Sequence, residues 1–128
     1  KQGRDVLLYV LGIGEVEQVR YYQELAKKKG LTVQAFGNQL ADLLADYMLE
    51  ISKRVNQTKL IFAGGDTSFH CCQKFQIQDL LIQKEIEAGI PLCRGMSSRT
   101  YDIVLKSGSF GSEDFFMQAI RKLKETKV

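Results

Sequence analysis

The chain has 128 residues, 45% of them hydrophobic and 26% charged, with a formal net charge of +3; this suits one globular domain and excludes a disordered chain or two domains of ordinary size. Its apolar runs are strand-length, too short to cross a bilayer, and its basic residues are dispersed without interleaved aromatics, which speaks against membrane and nucleic-acid partners. Cys71 and Cys72 are neighbours and Cys93 is distant, which suits neither a disulfide framework nor a zinc site, so a reducing cytoplasmic setting is expected.

Residues 5–11 form a continuous apolar run that predicts a strand buried on both faces, ended by Gly12 and Gly14. Residues 15–29 predict a helix, acidic at its start and basic at its end, with Gly30 as C-terminal cap. Val16, Val19, Tyr22 and Ala26 supply its apolar face. The turn at 12–15 follows a strand and so offers a third ligand position, with a structural role preferred. Leu40, Leu43, Leu44, Tyr47, Met48, Ile51 and Val55 recur at helical steps, with Asn38 as N-cap. Gly37 leaves open whether a turn beginning near Thr32 is continuous with that helix.

Residues 59–63 read as a short buried strand broken by Gly64 and Gly65, with Thr67 and Ser68 as N-cap residues for a helix over 68–75. Phe69, Cys72 and Phe75 are its expected packing residues; Cys71 and Cys72 read as small buried hydrophobes without an activating partner. His70, the single histidine, reads as a helix-surface or packing residue. Residues 79–87 suit a strand with one exposed face, residues 90–94 another and residues 102–106 a third. The closing helix, 113–125, places Phe116, Ala119, Ile120 and Leu123 on one face. Three consecutive strands after a parallel portion predict an α/β, three-layer-like domain: a mixed sheet, parallel plus antiparallel, flanked by helices.

The chemistry is expected at two turns of one grammar, Gly64-Gly-Asp-Thr67 and Lys106-Ser-Gly-Ser-Phe-Gly111, each placed between a strand and a helix. Glycine admits close approach of a ligand, and the first amides of a helix lack intrahelical partners, so such a turn can receive phosphate oxygens. Lys106, Ser107 and Ser109 add a positive charge and hydroxyl donors. Asp66 could position a metal ion or take the proton of an attacking hydroxyl. The plainer alternative is that both turns are ordinary corners of an α/β domain.

With the segment Glu85-Ile-Glu-Ala-Gly-Ile-Pro91 between them, and an acidic helix start after the second, these turns resemble the C-terminal, nucleotide-binding domain of the four-carbon acid sugar kinases. The resemblance covers nearly the whole chain. Ala88, Ser109 and Gln76 depart from it, standing where the family often has proline, asparagine or glycine, and glycine. It implies that residues 1–128 form a single nucleotide-binding domain, the C-terminal half of a two-domain kinase. Contacts to ATP are implied from Gly64, Gly65, Asp66 and Thr67 and from Ser107, Gly108 and Gly111, with Lys106 in the same turn. Mg²⁺ would neutralise the phosphates, and Asp66 would position it or orient the attacking hydroxyl. Glu85 lies either in the same cleft or on the surface as a plain strand-end carboxylate.

The implied reaction moves the γ-phosphoryl group of ATP to a hydroxyl of a threonate-, erythronate- or oxo-tetronate-like acid held by an N-terminal domain. This fragment alone is expected to be inactive, and a homodimer is compatible with the sequence. Two other readings stand beside this one: a non-catalytic interaction module that keeps the fold, and a small phosphate- or anion-binding protein.

Overall fold

The computed structural model describes residues 3–10 and 16–126. Four strands, β1 (Lys59–Ala63), β2 (Asp79–Glu87), β3 (Ile90–Met96) and β4 (Thr100–Lys106), form one sheet in the order β1-β4-β3-β2. β1 and β4 run parallel, from Lys59 opposite Asp102 to Ala63 opposite Lys106, whereas β3 pairs antiparallel with both β4 and β2. The helices are α1 (Val16–Lys28), α2 (Val33–Val55), α3 (Gly65–Lys74) and α4 (Phe115–Glu125).

Side-chain alternation along the strands builds a core on each face of the sheet. Leu60, Phe62, Tyr101 and Ile103 pack with Ala45 of α2 and with Cys71 and Phe75 beside α2 and α3. Phe75 is the hub of this cluster, its ring 5.7 Å from that of Phe62 and 5.1 Å from that of Tyr101. On the opposite face Ile90, Leu92 and Val104 meet Phe115, Ala119 and Leu123 of α4. Each fully buried large apolar side chain contributes ~1.5–3 kcal/mol. The result is the expected three-layer α/β arrangement with a mixed sheet. α1 lies outside it, joined to α2 where the Tyr22 and Phe36 rings stand 6.2 Å apart and Ala26 is buried.

The strand expected over 5–11 does not form within its described part. Residues 5–10 belong to no strand, and Val6, Leu7 and Tyr9 are 75%, 65% and 63% exposed. Strand composition needs a neighbouring edge to satisfy the backbone, and here the segment is tied instead by Asp5, whose carboxylate meets Lys124 Nζ at 3.0 Å. Leu11 and the turn at 12–15 lie outside the described residues.

The helices also correct the expected faces and caps. Val16 and Val19 of α1 are exposed, because only its later turns meet α2. α2 runs unbroken through Gly37 from an N-cap at Thr32, whose Oγ1 accepts from the Ala35 amide at 3.1 Å; Asn38 lies inside the helix. Its buried face is Phe36, Ala41, Ala45 and Ser52, while Leu43, Tyr47, Ile51 and Val55 are exposed. Small alanines bring α2 close to its neighbours, and that proximity outweighs the larger side chains of Leu43 and Tyr47 two positions away.

α3 starts three residues earlier than expected, with Gly64 as N-cap, so Thr67 and Ser68 occupy its first turn. Cys71 and Phe75 point inward and Phe69 outward. In α4 the buried aromatic residue is Phe115, with Phe116 exposed. The cysteines are unpaired thiols, as expected: burial pushes Cys71 up to about 12 and raises Cys72 and Cys93 as well. Among the described residues no helix is long and apolar enough to cross a membrane.

Candidate functional site

Because β1 and β4 are parallel neighbours, their carboxyl ends lie on the same sheet edge, where crossover folds hold their ligands. The ladder continues one residue beyond β1: the Gly64 amide donates to the carbonyl of Lys106, the last residue of β4, at 2.7 Å. Gly64 has φ 101° and ψ 142°, a backbone that residues with a Cβ avoid, and this geometry swings the chain from β1 into α3. The Ser68 amide closes the first turn on the Gly64 carbonyl at 2.9 Å. Gly65, Asp66 and Thr67 therefore form the opening of α3, where amides lack intrahelical partners. Asp66 is exposed, and no side chain among the described residues pairs with its carboxylate.

The second turn is closed by the Phe110 amide donating to the Ser107 carbonyl at 3.2 Å. Lys106 Nζ donates to the Ser107 and Gly108 carbonyls at 3.1 and 3.2 Å and stands 5.8 Å from the centre of the Phe115 ring. Its ammonium thus organises the loop from within and keeps a positive charge there. The glycines of the two turns differ in what they serve. At Gly111, with φ 103°, a Cβ would lie 3.1 Å from Lys106 Cε, 3.3 Å from Ile90 Cδ1 and 3.4 Å from Phe115 Cβ, so the fold itself requires glycine. A Cβ on Gly65 or Gly108 would meet open space.

The structure brings Gly64, Gly65, Asp66 and Thr67 to the same edge as Lys106, Ser107, Gly108 and Gly111. Amides at a helix start, hydroxyls and a lysine form a donor set that suits phosphate oxygens. Among the described residues no group of three or more His, Cys, Asp or Glu side chains is gathered that could hold a metal. Within the two turns themselves Asp66 is the one carboxylate, exposed at the opening of α3; Mg²⁺ carried mainly by phosphates and water would need only one or two such groups.

The segment 85–91 supplies what the turns alone do not. Glu85 Oε1 accepts from the Gly89 amide at 2.7 Å, so Glu85 shapes the turn between β2 and β3. Glu87 reaches the second glycine turn: its Oε2 accepts from the Ser112 amide at 2.8 Å and its Oε1 from Ser112 Oγ at 2.5 Å. Sequence reasoning singled out Glu85 and passed over Glu87, although the same motif carries both. His70 lies elsewhere, 3.4 Å from Asp42 across the α2–α3 contact, where Asn38, Gln39, Leu43 and Asp46 complete a shallow hollow that includes none of the glycine-turn residues.

An α/β domain that sets two glycine turns side by side at the carboxyl edge of parallel strands has the architecture of phosphate-binding folds. The chain belongs to the family described as the nucleotide-binding C-terminal domain, whose model matches residues 1–116. It is 32% identical over 98 residues to a 3-oxo-tetronate kinase of Burkholderia multivorans, covering 77% of this chain and 23% of that protein. A 3-oxo-tetronate kinase of Pseudomonas savastanoi is 30% identical over 123 residues, covering 94% and 26%. Among solved structures, a DUF1537 protein from Haemophilus influenzae superposes with a TM-score of 0.64 at 25% identity, covering 84% of this chain and 24% of that one. The chain thus spans about a quarter of the length of these relatives.

Proposed function

We propose that residues 1–128 are the nucleotide-binding part of an ATP-dependent kinase for a four-carbon sugar acid of the 3-oxo-tetronate, threonate or erythronate type. The observation that carries this reading is the juxtaposition of the two glycine turns at one sheet edge through the Gly64–Lys106 bond. The names of the relatives support the substrate class. Amides of Gly65, Asp66 and Thr67 and the turn 107–111 hold the nucleotide phosphates, with Lys106 keeping the second turn closed and positive. Asp66, exposed and unpaired among the described residues, would hold the ion that accompanies the phosphates or orient the attacking hydroxyl. In the reaction the bond between the γ-phosphorus and its bridging oxygen breaks, ADP leaves with that oxygen, a bond from the phosphorus to the acid's hydroxyl oxygen forms, and the hydroxyl proton passes to solvent water. When bound, Mg²⁺ would neutralise charge on the phosphates.

The sugar acid belongs to a second domain, and turnover requires both. The exposed apolar stripe of Leu43, Tyr47, Ile51 and Val55 on α2 offers a surface for the remainder of such a kinase. The same surface supports the second reading, a non-catalytic interaction module that has kept the fold. Calorimetric titration with ATP and ADP, with and without Mg²⁺, separates them. Saturable Mg²⁺-dependent binding that Asp66→Ala weakens supports the kinase domain. Absence of binding, both here and in the full-length gene product, supports the module.

A further inference from the structure

The second glycine turn is not held by its own hydrogen bonds alone; the β2–β3 hairpin grips it at two points. The first is polar. Glu87, half-buried near the end of β2, accepts from both the amide and the hydroxyl of Ser112. Ser112 Oγ also lies 2.7 Å from Asp114 Oδ1, at the residue that caps α4. Glu87 therefore ties the exit of the turn to the hairpin, while Ser112 links it to the start of the last helix.

The second grip is apolar. Gly89 has φ 76°, and a Cβ there would lie 2.9 Å from both Cδ1 and Cε1 of Phe110. The Phe110 ring thus rests on the bare backbone of the hairpin turn, which Glu85 holds through the Gly89 amide. Ser107, Gly108 and Ser109 lie between Lys106, fixed to the sheet, and Phe110, fixed to the hairpin. Their backbone is exposed but anchored at both ends.

We propose that Glu87, with Gly89 and Phe110, positions the second turn for phosphate, so that the hairpin motif acts as a brace for the nucleotide site rather than as a contact to the ligand. The inference rests on the nucleotide reading of that turn. Glu87 is a positioning residue: its carboxylate is occupied by Ser112, and it acts through the turn.

The test uses this chain with Glu87→Ala, Glu87→Gln and Ser112→Ala, measuring amide hydrogen exchange at Ser112 and Phe110 and MgATP affinity by calorimetry. Glutamine keeps an acceptor for the Ser112 amide and a partner for its hydroxyl, so Glu87→Gln is expected to match the wild type in both readouts. Glu87→Ala is expected to speed Ser112 exchange and raise the MgATP Kd about tenfold, the equivalent of one strong hydrogen bond. Ser112→Ala, which removes only one hydroxyl, should give a smaller rise and keeps the test decisive should Glu87→Ala not fold. Faster exchange with unchanged affinity would overturn the brace while leaving the nucleotide reading intact. Wild-type protein that binds no MgATP, either as this chain or as the full-length gene product, would instead remove the reading on which it rests, whatever the exchange data show.

Discussion

The Gly64 amide and the Lys106 carbonyl meet at 2.7 Å, joining the residue just past β1 to the last residue of β4, so the two glycine turns leave the sheet as one unit. A change at Gly64 should therefore reach both turns. Gly64→Ala must hold φ near 101°, which costs ~1–3 kcal/mol. The expected outcome is a lower denaturant midpoint together with weaker MgATP binding, checked by urea titration and calorimetry on the same protein.

Gly65, Gly108 and Gly111 allow fold and ligand to be separated. A Cβ at Gly65 or Gly108 meets nothing within 4 Å, whereas one at Gly111 meets Lys106, Ile90 and Phe115 at a positive φ. Gly108→Ala should leave stability within ~0.5 kcal/mol of the wild type while raising the MgATP Kd. Gly111→Ala should lose ~1–3 kcal/mol as well. An unchanged MgATP Kd in Gly108→Ala would show that the open space there has no bearing on the ligand, and an equal loss of stability in both variants would show that Gly108 also serves the fold.

The turns were legible because strand, glycine and helix follow one another within a few residues. Their adjacency was not, since it depends on parallel pairing between β1 and β4, segments some forty residues apart in the chain. Glu87 escaped for the same reason: its partner, Ser112, is 25 residues away. β1 and β2 matched their expected limits, being bounded by glycine and polar residues. The faces of α2 and α4 did not, because each carries apolar side chains on more than one stripe. Which stripe turns inward is decided by the close fit of Ala41 and Ala45, or of Phe115, against the rest of the fold. The run at 5–10 has the composition of a strand, but composition cannot supply a paired edge.

The contact between α2 and α3 should make stability depend on pH. Lys74 Nζ lies 3.0 Å from carboxylate oxygens of both Asp42 and Asp46, and His70 Nδ1 lies 3.4 Å from Asp42. The hydrogen bond from Lys74 holds the Asp42 carboxyl below its ordinary range, outweighing the opposing effect of burial, with a lesser contribution from the His70 bond. A depressed carboxylate stabilises the fold above its unfolded-state range, and the contribution is lost as pH falls through the folded value. Asp42→Asn should therefore melt below the wild type at neutral pH, with the gap closing in acid. A gap that stayed constant across that range would assign the loss to packing.

Cys71 tests whether the cysteine pair takes part in chemistry. Its thiol is 2% exposed, and burial, with a smaller effect of Cys72, pushes it up to about 12. The thiolate is the reactive form, so iodoacetamide at mildly alkaline pH should leave Cys71 unmodified in the folded chain and modify it in urea. Rapid labelling of the native protein at Cys71, read by peptide mass spectrometry, would contradict the packing role.

Among the described residues Asp102 is the charged group the fold has taken furthest from water, at 8% exposure, and it anchors the far end of α4. Its Oδ1 accepts from Arg94 Nε at 3.2 Å and its Oδ2 from Thr126 Oγ1 at 3.0 Å, while Lys59 Nζ donates to the Thr126 carbonyl at 3.0 Å. These bonds fasten the residue after α4 to the starts of β1 and β4, at the end of the strands opposite the glycine turns. Asp102→Ala removes both side-chain bonds and should cost ~1–3 kcal/mol. Arg94 is 38% exposed along its side chain and can turn to water, which limits the loss. Thr126→Ala removes only the hydroxyl bonds and should cost ~0.5–1.5 kcal/mol. If the two act through one contact, the double variant loses less than the sum of the singles. The distance from the glycine turns also makes MgATP affinity a control: it should change little in either variant, and a loss there comparable to that of Gly108→Ala would mean that α4 couples the two ends of the sheet.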